Sequence, residues 1–167
     1  LSPMWDNGAV VDAGAATWGS GTAGVTGVVS VANSLVGSTA SDQVGAGGVT
    51  ALSNGNYLVL SPYWDNGAVV NAGAATWGTG TSGVNGTISV ANSLVGSTAS
   101  DQVGSGGATA LSNGNYVVSS KFWDNGSIVD AGAATWGSGT TGMSGAVSAV
   151  NSLVGSTSSD QVSSGGV

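Results

Sequence analysis

Three times along the chain a tryptophan is followed by Asp-Asn-Gly: Trp5-Asp6-Asn7, Trp64-Asp65-Asn66 and Trp123-Asp124-Asn125. An indole face beside a carboxylate and an amide on a flexible turn can stack a sugar ring and read its hydroxyls. The competing role is structural. Glycine and alanine elsewhere leave little bulk for a core, so the indoles are expected in the core first and on a ligand platform second. The same holds for Trp18, Trp77 and Trp136, each after Ala-Ala-Thr.

An Asp that opens a turn usually accepts its own backbone amides, and this is the expectation for Asp6, Asp65 and Asp124. Calcium is the alternative. It needs about six to eight oxygen ligands, whereas Asp6 with Asp12, or Asp124 with Asp130, offers two carboxylates, and Asn71 replaces the second one in the middle copy. No cofactor is therefore expected, Ca²⁺ being the one ion the spacing leaves open. Asp42, Asp101 and Asp160, each before Gln-Val, are expected to bind nearby loop amides. Asn33, Asn92 and Asn151 would form an internal amide ladder if the copies stacked in register. Asn85-Gly-Thr and Asn125-Gly-Ser match the glycosylation sequon, but chance suffices in a chain so rich in these residues.

Catalysis finds few groups to work with. The chain has no His, no Cys and no Glu, and Lys121 is its only base, so no acid–base set emerges and no enzyme is expected. The net charge of −7 argues against a grip on nucleic acid or anionic lipid. No apolar run approaches the roughly 20 residues of a spanning helix, so membrane insertion is not expected. The start at Leu1 suggests a processed or excised segment of a longer polypeptide. Six tryptophans and 41% hydrophobic residues supply too much burial for a disordered chain.

The tryptophans recur with a period of 59 residues, and so do Asp42, Asp101 and Asp160. We read residues 1–59 and 60–118 as two copies and 119–167 as an incomplete third, one continuous array. Most swaps between copies preserve size or polarity, as at Val29/Ile88 and Leu58/Val117, so each copy does the same structural job. Branched and aromatic runs flank Asn-Gly turns while glycine recurs too often for helices, which predicts an all-β chain. For the middle copy the expected strands are residues 48–52, 57–64, 69–77 and 87–95; residues 56–77 can be laid over 92–111, each reading strand, turn, strand, so a copy is two hairpins or four strands.

A four-stranded unit in tandem is the signature of a propeller blade. Residues 42–77, "DQVGAGGVTALSNGNYLVLSPYWDNGAVVNAGAATW", resemble the FG-GAP blades of integrin-α-type propellers, with Val44 where that family has Phe and without its Asp-rich calcium loop. The strings "LSNGNY", "WDNGAVVDAGAATWG" and "ANSLVGSTASDQVG" resemble repeats of very large secreted bacterial proteins of the filamentous-haemagglutinin-like or adhesin kind. That resemblance implies a location outside the cell or on its surface and a repetitive structural role.

The expected architecture is a propeller-like arc or ring, with an elongated β-solenoid or stacked-hairpin filament as the alternative and a closed three-fold β-prism last. Three blades do not close a ring, which typically takes about four to eight. Open strand edges invite pairing, and this chain has almost no charge to blunt them. The expected function is therefore an extracellular, self-assembling structural protein, a fibre, sheath or surface stalk, whose partners are copies of itself. A carbohydrate-binding adhesin module using the repeated Trp-Asp-Asn loops is the alternative, with extracellular glycans as partners.

Overall fold

Branched and aromatic residues form strands at Tyr57–Ser61 and Tyr116–Ser120, and alanine-rich segments such as Ala74–Gly78 pair with them. The computed structural model describes residues 1–167 and contains strands but no helix. In chain order the strands are β1 (Ala15–Thr17), β2 (Ser34–Val36), β3 (Gly48–Ala51), β4 (Tyr57–Ser61), β5 (Ala74–Gly78), β6 (Gly86–Thr87), β7 (Ser93–Val95), β8 (Ala108–Ala110), β9 (Tyr116–Ser120), β10 (Ala133–Gly137), β11 (Gly145–Ala146) and β12 (Ser152–Val154).

The middle sheet is an antiparallel run β3-β4-β5-β7, and the third repeats it as β8-β9-β10-β12. The first contains the corresponding pair β1-β2. Each later copy also hands a two-residue strand back to its predecessor. Gly86–Thr87 lies parallel to Leu35–Val36, and Gly145–Ala146 parallel to Leu94–Val95. These short parallel ladders tie successive sheets edge to edge.

The sheets pack face to face, and the side-chain alternation of a strand decides what each face carries. In β4, Leu58 and Leu60 join Ala75 and Leu94 on the side toward the third sheet, where they meet Val103, Tyr116, Val118 and Trp123. Val59, with Ala74 and Val95, points the other way, to Ala16, Leu35 and Val44. A sheet covered on both faces needs an unbroken apolar run rather than an alternating one. "YLVL" is such a run, and every residue of β4 after Tyr57 is buried.

Tyr57 stands opposite Gly78, and Tyr116 opposite Gly137, across the β4–β5 and β9–β10 ladders. Each phenol ring lies against its glycine, where any side chain would collide with it. The Tyr57 hydroxyl accepts the Val84 amide at 3.1 Å. Burial, opposed by the amide of Met143, pushes Tyr116 up to about 12.

The structure corrects the expected strand lengths. β4 stops at Ser61 and β5 begins only at Ala74, so Pro62–Trp64 and Val69–Gly73 are loop. Pro62 has no amide to give a ladder, and Trp64 turns back to donate to the Ser61 carbonyl at 3.2 Å. Within the loop Asn66 and Val69 exchange backbone bonds around Gly67, whose φ of 63° suits the first central position of a tight hairpin turn. The half-repeat over residues 56–77 forms a hairpin, β4 with β5, but that over residues 92–111 does not. β7 and β8 never pair, because the chain between them crosses from one sheet to the next.

The boundaries 59/60 and 118/119 fall inside β4 and β9, while the sheets run from Gly48 to Val95 and from Ala108 to Val154. A period fixes the length of a repeat but not where its fold begins. The three sheets do not close into a barrel or three-fold body.

Gly73 sits at the crossing, with φ 75° and a bridge to Val103. A Cβ there would overlap the Val103 amide nitrogen, a backbone atom that cannot step aside. Gly73→Ala is expected to cost about 3 kcal/mol, combining left-handed strain with overpacking. Gly67→Ala, where a Cβ meets open space, carries the strain alone and is expected to cost about 1 kcal/mol. Urea denaturation of the two variants measures the difference.

Candidate functional site

The residues that recur with the period converge on the joins between sheets. Asp101 is fully buried there. Its Oδ2 accepts the amides of Ser97 and Thr98, both at 2.8 Å, and its Oδ1 accepts the Asp124 amide of the next copy at 3.0 Å. Asp42 does the same with Ser38, Thr39 and, across the join, Asp65. The expected binding of loop amides is thus present, and the carboxylate is also a clasp between copies. Asp160 accepts Ser156 and Thr157 at 2.9 Å and is exposed.

Burial pushes Asp42 and Asp101 above the ordinary 3.8, with the amides of Asp65 and Asp124 the strongest of the bonds that pull back. The folded chain therefore holds protons at these two sites more tightly than the unfolded chain does. Their contribution to stability is full below 3.8 and is lost as pH rises through their folded values. Unfolding midpoints in urea should accordingly rise as pH falls from 7 toward 4, and the rise should shrink in Asp101→Asn.

Asp65 turns inward on its own loop, its Oδ1 accepting the Asn71 amide at 2.7 Å; Asp6 with Asp12 and Asp124 with Asp130 repeat this at 2.8 Å. The expected capping role is met in all three copies. Positions 12, 71 and 130 share a left-handed φ of 51–52°. Asp and Asn both tolerate that region, so the Asp12/Asn71 exchange follows conformation rather than the needs of an ion. Asn7, Asn66 and Asn125 donate to the carbonyls of Gly37, Gly96 and Gly155 at 3.1–3.2 Å, which pins each turn to its own sheet.

Trp64 and Trp123 are 3% and 4% exposed, each packed in the core between two sheets. Their indole faces are closed to a sugar, and their Nε1 atoms have no hydrogen-bond partner. Trp5 is half-buried. In the second and third copies the structure therefore does not bring Trp, Asp and Asn of these loops together as a platform: the indole turns in while the carboxylate and amide serve the loop. The asparagine ladder does not form either. Asn33, Asn92 and Asn151 each cap a local turn, as where Asn92 accepts the Ser89 amide and donates to the Thr87 carbonyl, both at 2.9 Å.

The second tryptophan of each copy spans the join. Trp18 lies on Gly83 and Trp77 on Gly142, glycines of the following copy. Trp77 Nε1 donates to the Gly139 carbonyl at 3.1 Å, where Asn54 and Asn56 also donate, at 2.8 and 2.7 Å. Sequence reasoning singled out neither asparagine. Their place in "LSNGNY", at a hairpin tip, was the available signal. Between the first and second sheets, Trp18, Asn56, Tyr57, Val59 and Gly80 line a cavity of about 380 Å³. In the next join the β3–β4 hairpin lies against the counterpart residues, with Asn54 beside Gly114 and Thr50 donating to the Ala108 carbonyl at 3.4 Å.

On the outer face of the third sheet the same residue types stand uncovered. Trp136 is 53% and Leu153 71% exposed, while Leu35 and Leu94 at the same position of the other sheets are 0% and 1%.

No curated protein and no solved structure matches the chain. A sequence family does, over residues 1–46, 51–105 and 110–164, the second and third matches beginning at the last residue of β3 and of β8. With these matches spanning nearly its whole length, the chain belongs to the family described as Repeat of unknown function (DUF5650).

Proposed function

We propose that this chain is a self-assembling structural repeat protein that builds a fibre, sheath or surface stalk outside the cell by face-to-face and strand-edge packing of its sheets. The observation that carries the reading is the exposed face of the third sheet. Leu153 repeats a residue that the other sheets bury against a neighbour, and Trp136 one that they half-bury there as Trp18 and Trp77, so the face carries side chains that the other sheets cover.

Further features support it. Polar surface made of Ser, Thr, Asn and Gln costs less to desolvate than a charged one, which suits surfaces that meet repeatedly. A chain with one basic residue offers trypsin-like proteases little, which suits life outside the cell. The resemblance of its strings to large secreted bacterial surface proteins points the same way. Face-to-face four-stranded sheets are also how propeller blades pack, so the rotation between successive sheets sets whether an assembly curves or runs straight.

Electron microscopy over a concentration series tests this. Ordered assemblies that lengthen with concentration are expected; discrete monomers at every concentration would overturn the proposal.

A further inference from the structure

Resting on that assembly reading, the structure assigns the occupant of the exposed third-sheet face: the first sheet of a second copy, docked as each sheet here docks on its predecessor. Both internal joins use the same three contacts, and the third and first sheets each present an unpaired half of all three.

The first contact is the parallel ladder. β2 takes Gly86–Thr87 and β7 takes Gly145–Ala146, but β12 at the same position has an open edge. The counterpart segment is Gly27–Val28. Gly27 has φ 113°, in the region of Gly86 and Gly145 at 93° and 95°, and Val28 is 85% exposed. The second is the aspartate clasp. Asp160 Oδ1 has no donor, and the Asp6 amide, counterpart of the Asp65 and Asp124 amides that bind Asp42 and Asp101, has no acceptor. The third is the tryptophan bridge. Trp136 has the place of Trp18 and Trp77, and Gly24, counterpart of Gly83 and Gly142, has open space where those glycines meet an indole.

The two surfaces differ, so the contact is heterologous. A dimer formed this way still presents one free face of each kind, and growth continues until rotation closes a ring or the chain runs on as a filament.

Two variants separate this docking from self-assembly in general. Leu153→Asp places a charge on the third-sheet face, and Gly24→Asp places one beneath the incoming indole; both sites are exposed, and Asp tolerates the left-handed φ at residue 24. In sedimentation velocity each variant alone is expected to need at least about tenfold more protein than wild type to associate. Their equimolar mixture should form dimers that stop at two, because only one intact pair of surfaces remains. If wild type and Gly24→Asp associate alike, the docking is overturned while assembly stands. If wild type does not associate at all, both fall.

Discussion

Asp101→Ala is expected to lower the stability of the chain by about 4 kcal/mol. The substitution strands three amides, those of Ser97, Thr98 and Asp124, at a position with no access to water. A hydrogen bond to a charged group contributes about 1.5–3 kcal/mol, so three would exceed the expected loss. Relief of the buried charge offsets part of it, since burial already holds this carboxyl above its ordinary range. Asp101→Asn should fall between, because its single oxygen can serve the Ser97 and Thr98 amides or the Asp124 amide but not both groups. Asp160→Ala should lose only a fraction as much, since its carboxylate is exposed and lacks the third amide. Urea denaturation of the three variants gives the ranking, and equal losses at Asp101 and Asp160 would show that the clasp between copies contributes nothing.

Trp123→Ala is expected to cost a similar amount, about 4 kcal/mol, by opening a cavity between the second and third sheets. Around it stand Leu58, Leu60, Val103 and Val118, held by ladders on both sides and unable to collapse far into the gap. Trp123→Phe separates volume from polarity. It removes an Nε1 that has no acceptor, a group whose burial costs about 1–3 kcal/mol, against the loss of part of a ring. The two effects nearly cancel, and a change within about 1 kcal/mol of wild type is expected. Trp5→Ala, at a half-buried indole, should cost clearly less than Trp123→Ala. Thermal unfolding followed by far-ultraviolet circular dichroism reports all three without depending on the indole itself.

Much of this was legible in the sequence where residue chemistry is local. The 59-residue spacing of tryptophans and aspartates announced equal units, glycine recurrence excluded helices, and the turn-opening Asp6, Asp65 and Asp124 bind the loop amides that their type predicts. What depends on a partner was not legible. Asp42 and Asp101 read as loop aspartates, and nothing nearby in sequence says that their second oxygen reaches 23 residues on, into the next copy. Val69 and Val70 look like strand residues, yet Gly73 must cross beneath Val103, which keeps the preceding residues out of the ladder. The asparagines of "NSLVGS" suggested a ladder, but each amide instead finds a backbone carbonyl five residues back.

The candidate site emerged the same way. A tryptophan beside Asp-Asn-Gly has the composition of a sugar platform, and only burial by the adjoining sheet turns Trp64 and Trp123 into core. Trp18, Trp77 and Trp136 carry the opposite lesson. Identical in sequence context, they grade from bridging a join to standing in solvent, because exposure here is set by the presence of a neighbour.

The central claim is that a sheet is completed by the one that follows it, and amide hydrogen exchange read at the two aspartate loops tests it most directly. In dilute solution the Ser97 and Thr98 amides, beneath the closed clasp of Asp101, should exchange slowly, and those of Ser156 and Thr157 quickly. Raising the protein concentration should slow Ser156 and Thr157 toward the rates of Ser97 and Thr98 as the third-sheet face becomes covered. Exchange at Ser156 and Thr157 that stays equally fast at every concentration would contradict the account.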